Sequence, residues 1–160
     1  MAELVASSKA PYILTHRRGD ARTMNSLAEY TDVAAEVVAE LAGVRDKLYA
    51  AGVSAEQIIV DPGLGFAKND AQNWELLQNL EQLEALGHRI LVAASRKRFL
   101  GTLLTVAGKS AAPEERDGAT AAITAISAAR GAWAVRVHDV GASLDAVKVA
   151  ARMAAVPKAP

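Results

Sequence analysis

The chain reads as an α/β protein of alternating strands and helices, and three observations lead there. Short apolar runs rich in β-branched residues recur along it, each bounded by Gly, Pro or charge. Longer stretches with apolar residues at helical spacing separate them. The strand runs are continuously apolar rather than alternating, the pattern of strands covered on both faces. Such alternation implies parallel strands joined by crossover helices. Two architectures fit: a doubly wound open sheet, or half of a (β/α)8 barrel, whose complete form takes about 250 residues.

The first strand is "YILTH" (12–16), too short and too β-branched for a helix. Ser26 to Ala51 follows as a long amphipathic helix, with Leu27, Tyr30, Val33, Val37, Val38, Leu41 and Leu48 on one face. "IIVD" (58–61) is the second strand. Asp70 to Leu86 is the next helix, carrying Trp74, Leu76, Leu77, Leu80, Leu83 and Leu86, with Gly87 as its stop. "RILVAAS" (89–95) is the third strand, and a short helix runs from Lys97 to about Val106. "GKSAAPEER" (108–116) is a loop. Glu114 to Arg130 is an alanine-rich helix ending before Gly131, "WAVRVHD" (133–139) is the fourth strand, and Ser143 to Ala155 is the last helix.

Composition narrows the function classes. The 160 residues are 51% hydrophobic, enough for a sizeable core, with 18 basic and 18 acidic residues. A balanced charge offers no global field for nucleic acid or anionic membrane. With no cysteine, disulfides and thiolate zinc sites are excluded. No apolar run reaches the roughly 18 residues of a membrane span. The start, "MAELVASSKAPY", lacks the order of a secretory signal. The expectation is a soluble, cytoplasmic protein.

Each strand ends in chemistry: His16; Asp61; Ser95 with Lys97 just after; Arg136 and His138. In eight-fold barrels function sits at the C-terminal ends of the strands. Arg136 and His138 are two apart, so on an extended chain they share a face opposite Val135 and Val137. Burying such groups costs several kcal/mol unless they are paired, about the range for unpaired buried polar groups. Each residue alone has a plainer reading. Asp61 in Asp-Pro-Gly suits a turn cap as well as a ligand contact. His138 alone suits a satisfied histidine, and "SRK" a helix start, although basic residues in a first turn oppose the helix dipole and point to an anion nearby. His16, Arg17 and Arg18 read equally as site residues or as solvated loop charge. Four strands ending this way in succession favour a site.

"VDPGLGFAKND" (60–70) raises the question of a phosphate loop. "GLGFAK" has neither a third glycine at the dinucleotide spacing nor a Gly-Lys-Ser/Thr ending, and an acid precedes it. A carboxylate accepting from an amino-bearing ring fits better, with Phe66 offering an aromatic face and Gly63 and Gly65 leaving room.

"DPGLGFAK", "SRKRFLG" and "RVHDV", in this order, closely resemble dihydropteroate synthases, a pterin-binding family with an actinobacterial flavour here. "YILTHRRGDARTM" and "ERDGATAAITAISAARGA" are similar to the segments between. The resemblance covers nearly the whole chain. It implies an α/β fold, the C-terminal half of a (β/α)8 TIM-type barrel: residues 1–160 as a partial pterin-binding domain with four βα units, strands five to eight. It implies transfer chemistry, in which p-aminobenzoate displaces pyrophosphate from 6-hydroxymethyl-7,8-dihydropterin pyrophosphate to give dihydropteroate.

By that resemblance, Asp61 pairs with the pterin's amino and ring-nitrogen edge, and Lys97 bonds its acceptor side and shapes the p-aminobenzoate pocket. Phe66 borders the pocket, Ser95 and Arg98 join the substrate-binding set, Arg136 lies over the pterin face, and His138 holds the leaving phosphates. Lys97, Arg136 and His138 form the catalytic set. Magnesium assists pyrophosphate departure, with its ligand expected in the half that is absent; no metal ligand is assigned to this chain. Nucleic acid and membrane are not expected partners; a homodimer, or association through open sheet edges, is. Ala93 stands where the family often has glycine, and Thr15 replaces the usual methionine before the histidine. These departures keep open a non-catalytic pterin-binding paralogue or a half-barrel interaction protein. Without the other half, the isolated chain is expected to be inactive.

Overall fold

A computed structural model describes residues 1–156. The chain divides into two compact units, Met1–Leu91 and Val92–Pro160. The boundary falls inside the third strand.

In the first unit, β1 (Tyr12–Thr15) and β2 (Ile58–Asp61) pair in parallel, with Tyr12 opposite Ile58 and Thr15 opposite Asp61. β3 (Arg89–Val92) pairs with β2 in parallel through Ile59–Arg89 and Val60–Ile90. Every residue of β2 is buried, which explains its unbroken apolar run. α1 (Ala2–Ser8) was not predicted, because only Val5 on it is buried and so short a segment shows no periodicity. Gln57 holds it down: its side-chain amide donates to the carbonyls of Val5 and Ala10 at 3.0 and 3.1 Å.

The helix predicted over 26–51 is shorter. A 3-10 turn spans Met24–Leu27, and α2 runs Val33–Ala50. Asp32 sets the start by accepting from the Ala35 N–H at 2.9 Å, and Leu27 is exposed. Val33, Ala34, Val37, Leu41 and Leu48 of α2 are buried. The helix predicted over 70–86 splits in two. α3 (Asp70–Gln78) begins at a reciprocal Asn69–Gln72 cap, with bonds of 2.9 and 2.8 Å. It ends where Asn79 turns its side-chain amide back onto the Glu75 carbonyl. A 3-10 helix, Leu80–Leu86, continues to Gly87. Leu80, Leu83 and Leu86 are its buried residues, and a spacing of three is the one that shares a face in a helix of three residues per turn.

The second unit holds α4 (Arg98–Leu103), a 3-10 turn at Pro113–Arg116, α5 (Asp117–Ala129), β4 (Ala134–Val135) and α6 (Val140–Ala154). The predicted strands 89–95 and 133–139 are both too long. β3 stops at Val92 and β4 has two residues, after which the chain leaves extended geometry to build the strand-end turns. The Arg136 N–H donates to the Val92 carbonyl at 3.0 Å, continuing the sheet past β4. Hydrogen bonds order the strands β1-β2-β3-β4. α5 and α6 pack together. The residues α6 buries are small, Ser143 and Ala150, and let the helices approach closely. α6 starts at Val140 rather than Ser143 because Asp139 caps it, accepting from the Gly141 N–H at 2.9 Å. No helix among the described residues is long and apolar enough to cross a membrane.

Candidate functional site

The predicted site residues fall into two groups, one in each unit. In the first, Asp61 closes β2 and is 2% exposed. Its Oδ1 accepts from the Gly63 N–H at 2.8 Å and its Oδ2 from the Thr15 hydroxyl at 3.3 Å. The aspartate therefore caps its own turn, and the turn also fixes where the carboxylate points. Thr15 gains a physical reason: facing Asp61 across the register, its hydroxyl supports the carboxylate, which methionine could not do. The turn takes Gly63 and Gly65 into the left-handed region, φ +69° and +75°. Gly65 N–H donates to Asn73 Oδ1 at 2.7 Å and Phe66 N–H to the Gly63 carbonyl at 3.0 Å, which leaves Phe66 half-buried at the end of the turn.

Behind this turn lies a buried polar network that sequence reasoning only half located. Lys68 and His16 are each 3% exposed. Lys68 Nζ is 2.9 Å from His16 Nδ1 and 3.2 Å from the carbonyls of Gly63 and Phe66. His16 Nε2 is 2.9 Å from Glu40 Oε2. Arg18 donates to Glu40 and, at 2.7 Å, to Glu36, and its guanidinium lies 3.8 Å from the centre of the Tyr30 ring. Of the three residues read equally as site or loop charge, His16 and Arg18 thus belong to the interior network and Arg17 is exposed.

The electrostatics follow from burial. It lowers the His16 pKa to about 4, helped by the Lys68 charge and opposed by the hydrogen bond to Glu40. It also lowers Lys68 to about 7, against the pull of Asp61 and Glu40. Burial acts to raise Glu40, but hydrogen bonds from Arg18 and His16 hold its carboxyl below the usual range. Burial pushes the Tyr30 phenol up to about 12. Lys68 was the missed residue. Its position six residues after the turn's first glycine-flanking proline carries no helical or strand periodicity, and only its place in the folded turn shows its use.

In the second unit, Ser95 is buried and bonded to His138 twice: Oγ to Nδ1 at 2.8 Å, and the His138 N–H to Oγ at 3.0 Å. Ser95 therefore fixes the exposed imidazole ring. Lys97 is half-buried, while Arg98 and Arg136 are exposed. Arg136 and His138 lie just beyond β4, and both are exposed while Val135 and Val137 are half-buried, the alternation of an extended chain. Arg96, between Ser95 and Lys97, has φ +58°, a strained geometry for a non-glycine residue. Its surroundings account for it. The guanidinium forms a paired contact to Asp117 at 2.8 and 2.7 Å, the Arg96 backbone N–H donates to Thr120 Oγ1, and the Arg96 backbone carbonyl accepts from Arg116 Nη1. That clamp was not legible in the sequence. α4 has only six residues, so the expectation of an anion at its N-terminus has little helix behind it. Ala93 is buried. Among the described residues no group of three or more His, Asp or Glu could hold a metal ion.

Four parallel strands alternating with helices define part of a TIM-type barrel. The pterin binding enzyme family matches residues 1–138, and the chain belongs to that family. The dihydropteroate synthase of Mycobacterium leprae is 50% identical to it over 151 residues, covering 93% of this chain and 53% of that protein. A crystal structure of dihydropteroate synthase from Stenotrophomonas maltophilia, with imidazole in its active site, superposes with a TM-score of 0.90 at 37% identity, over 98% of this chain and 58% of that one. Dihydropteroate synthase from Xanthomonas albilineans in complex with 7,8-dihydropteroate gives 0.86 at 35% identity, over 98% and 56%. The chain spans about half the length of the curated relatives it matches.

Proposed function

We propose that this chain carries part of a dihydropteroate synthase site, in which the amine of p-aminobenzoate attacks the exocyclic methylene of 6-hydroxymethyl-7,8-dihydropterin pyrophosphate. The new C–N bond replaces the C–O bond, pyrophosphate leaves with the bonding pair, and the amine loses a proton. The observation that carries this reading is the Asp61 carboxylate, buried and oriented by Gly63 and Thr15. A fixed anion is the complement of the donor edge formed by a pterin's amino group and ring nitrogen.

Phe66 borders the p-aminobenzoate ring. Lys97 bonds the acceptor side of the pterin, Arg136 covers its face, and Arg98 contributes to substrate binding from the rim. Ser95 holds the His138 ring by Nδ1, which leaves Nε2 to donate towards departing phosphate oxygens. Magnesium would supply charge neutralisation at the pyrophosphate. The described residues contain no cluster to hold it, and its ligands are assigned to the length of the relatives that this chain does not span. The exposed apolar residues of the second unit, among them Ile126, Leu144, Val149 and Met153, support self-association, which light scattering would detect as a mass above that of one chain. Turnover is assigned to the complete length of the relatives and not to the 160 residues alone.

Asp61→Asn tests the reading. The amide keeps the shape but loses the charge, at a cost on the order of 2 kcal/mol for a charge-assisted pair, about thirtyfold in affinity. Calorimetric titration with 6-hydroxymethyl-7,8-dihydropterin measures it. An unchanged Kd refutes the assignment.

A further inference from the structure

We infer that Lys68 is a positioning residue: its side chain, oriented by His16, Glu40 and Arg18, holds the turn that carries Asp61 and Phe66 in the shape that receives the ligand. This rests on the function proposed above for Asp61 and Phe66 and adds a residue that acts through them.

The turn needs an external support. Between Asp61 and Phe66 it has a proline without an N–H and two glycines at positive φ, so its backbone has many conformations to lose. Lys68 reaches back across it and meets the carbonyls of Gly63 and Phe66, one at each end. An ammonium has three hydrogens, and the third points at His16 Nδ1.

With Lys68 charged and His16 neutral, one proton arrangement satisfies the whole chain of contacts. Glu40, bonded by the Arg18 guanidinium, is an acceptor. His16 Nε2 must then carry the hydrogen that meets Glu40 Oε2. In a neutral imidazole this leaves Nδ1 as an acceptor, free to receive from Lys68. Each donor therefore fixes the next, from the Arg18 guanidinium over the Tyr30 ring to the carbonyls of the turn. Lys68 also places a positive charge in the same interior as Asp61, and the two act on each other through space. An apolar side chain of similar length would fill the volume without bonding the carbonyls and without favouring an ionised Asp61.

The experiment is NMR on the 160-residue chain and its Lys68→Met variant. In the parent, ring ¹⁵N shifts should show His16 neutral at pH 6, where Lys68 is charged, with hydrogen on Nε2 and none on Nδ1. In Lys68→Met, amide exchange at Gly63, Gly65 and Phe66 should accelerate at least tenfold while Val37 and Leu41 of α2 are unchanged. The Asp61 carboxyl, followed by ¹³C, should titrate at least one pH unit higher, and affinity for 6-hydroxymethyl-7,8-dihydropterin should fall at least tenfold. A merely space-filling role would move neither the carboxyl titration nor the tautomer. If Lys68→Met does not fold, Glu40→Gln, on the half-exposed side of α2, should still accelerate exchange at the same turn amides. Hydrogen on His16 Nδ1 in the parent overturns the inference. So does a Lys68→Met variant, or Glu40→Gln in its place, whose turn exchange equals that of the parent. Failure of the parent to bind the pterin would count against the proposed function; the tautomer, exchange and titration would still decide the role of Lys68.

Discussion

Replacing Gly63 by alanine tests how tightly the Asp61 turn is built. A β-carbon there would lie 1.9 Å from the His16 carbonyl oxygen and 2.9 Å from its carbon. These are backbone atoms, and the His16 N–H is itself bonded to the Asp61 carbonyl at 2.9 Å, so no rotamer change can relieve the clash. Alanine would also have to adopt φ +69°, at roughly 1 kcal/mol. Gly87 provides the control. It has φ +72° and nothing within 4 Å of its would-be β-carbon. Gly87→Ala carries the conformational cost alone, and the unfolded-state effect of Gly→Ala is shared by both variants. The steric term, about 1–3 kcal/mol for overpacking, therefore appears as the difference. Urea denaturation followed by circular dichroism should give a loss of about 1 kcal/mol for Gly87→Ala and about 3 kcal/mol for Gly63→Ala, or about 2–4 °C of melting temperature per kcal/mol. Two variants of equal stability would mean that the turn yields freely, and the case for a rigid carboxylate would fail.

His16 has a folded-state pKa lowered to about 4 from 6.5, so the unfolded chain binds the extra proton first and stability falls as pH drops through that window. Linkage gives a loss of about 1.5 kcal/mol between pH 6.5 and 5. Urea midpoints at the two pH values check this, and His16→Gln should flatten the dependence. Asp117→Ala should release the Arg96 guanidinium and let the strained Ser95–Lys97 turn relax. Hydrogen exchange at Lys97 should then accelerate, and p-aminobenzoate affinity should fall, while the amides of β2 are unaffected.

The architecture was legible because hydrophobic pattern reports burial directly. β2 is apolar up to Asp61 and buried throughout, and the Gly87 stop marks a real helix end. Element lengths were less legible. Nothing in "RILVAAS" or "WAVRVHD" distinguishes residues that pair in a sheet from those that leave it to form a turn. The register of Thr15 against Asp61 requires knowing which strands are neighbours. Motif chemistry singled out Asp61, Ser95 and His138, since short polar residues at the ends of apolar runs stand out from their surroundings.

The groups that hold those residues did not stand out, and the reason is physical. A buried lysine carries no signature in hydropathy, because Lys68 would be read as solvent-exposed at any exposed position. What makes burial tolerable is a set of partners at sequence distances of 2, 5 and 52 residues, of which only the first two are local. The same holds for Arg96: its strained φ is stable only because Asp117, Arg116 and Thr120 meet it from 20 or more residues away. In the first turn the residue proposed to touch substrate, Asp61, is short, and its support, Lys68, is long and charged. That division follows from what each must do. A ligand contact needs a fixed direction, which a short side chain on a strand end supplies. A support must span the gap between elements, which takes the reach of a lysine or an arginine, and its charge must then be neutralised where it lands.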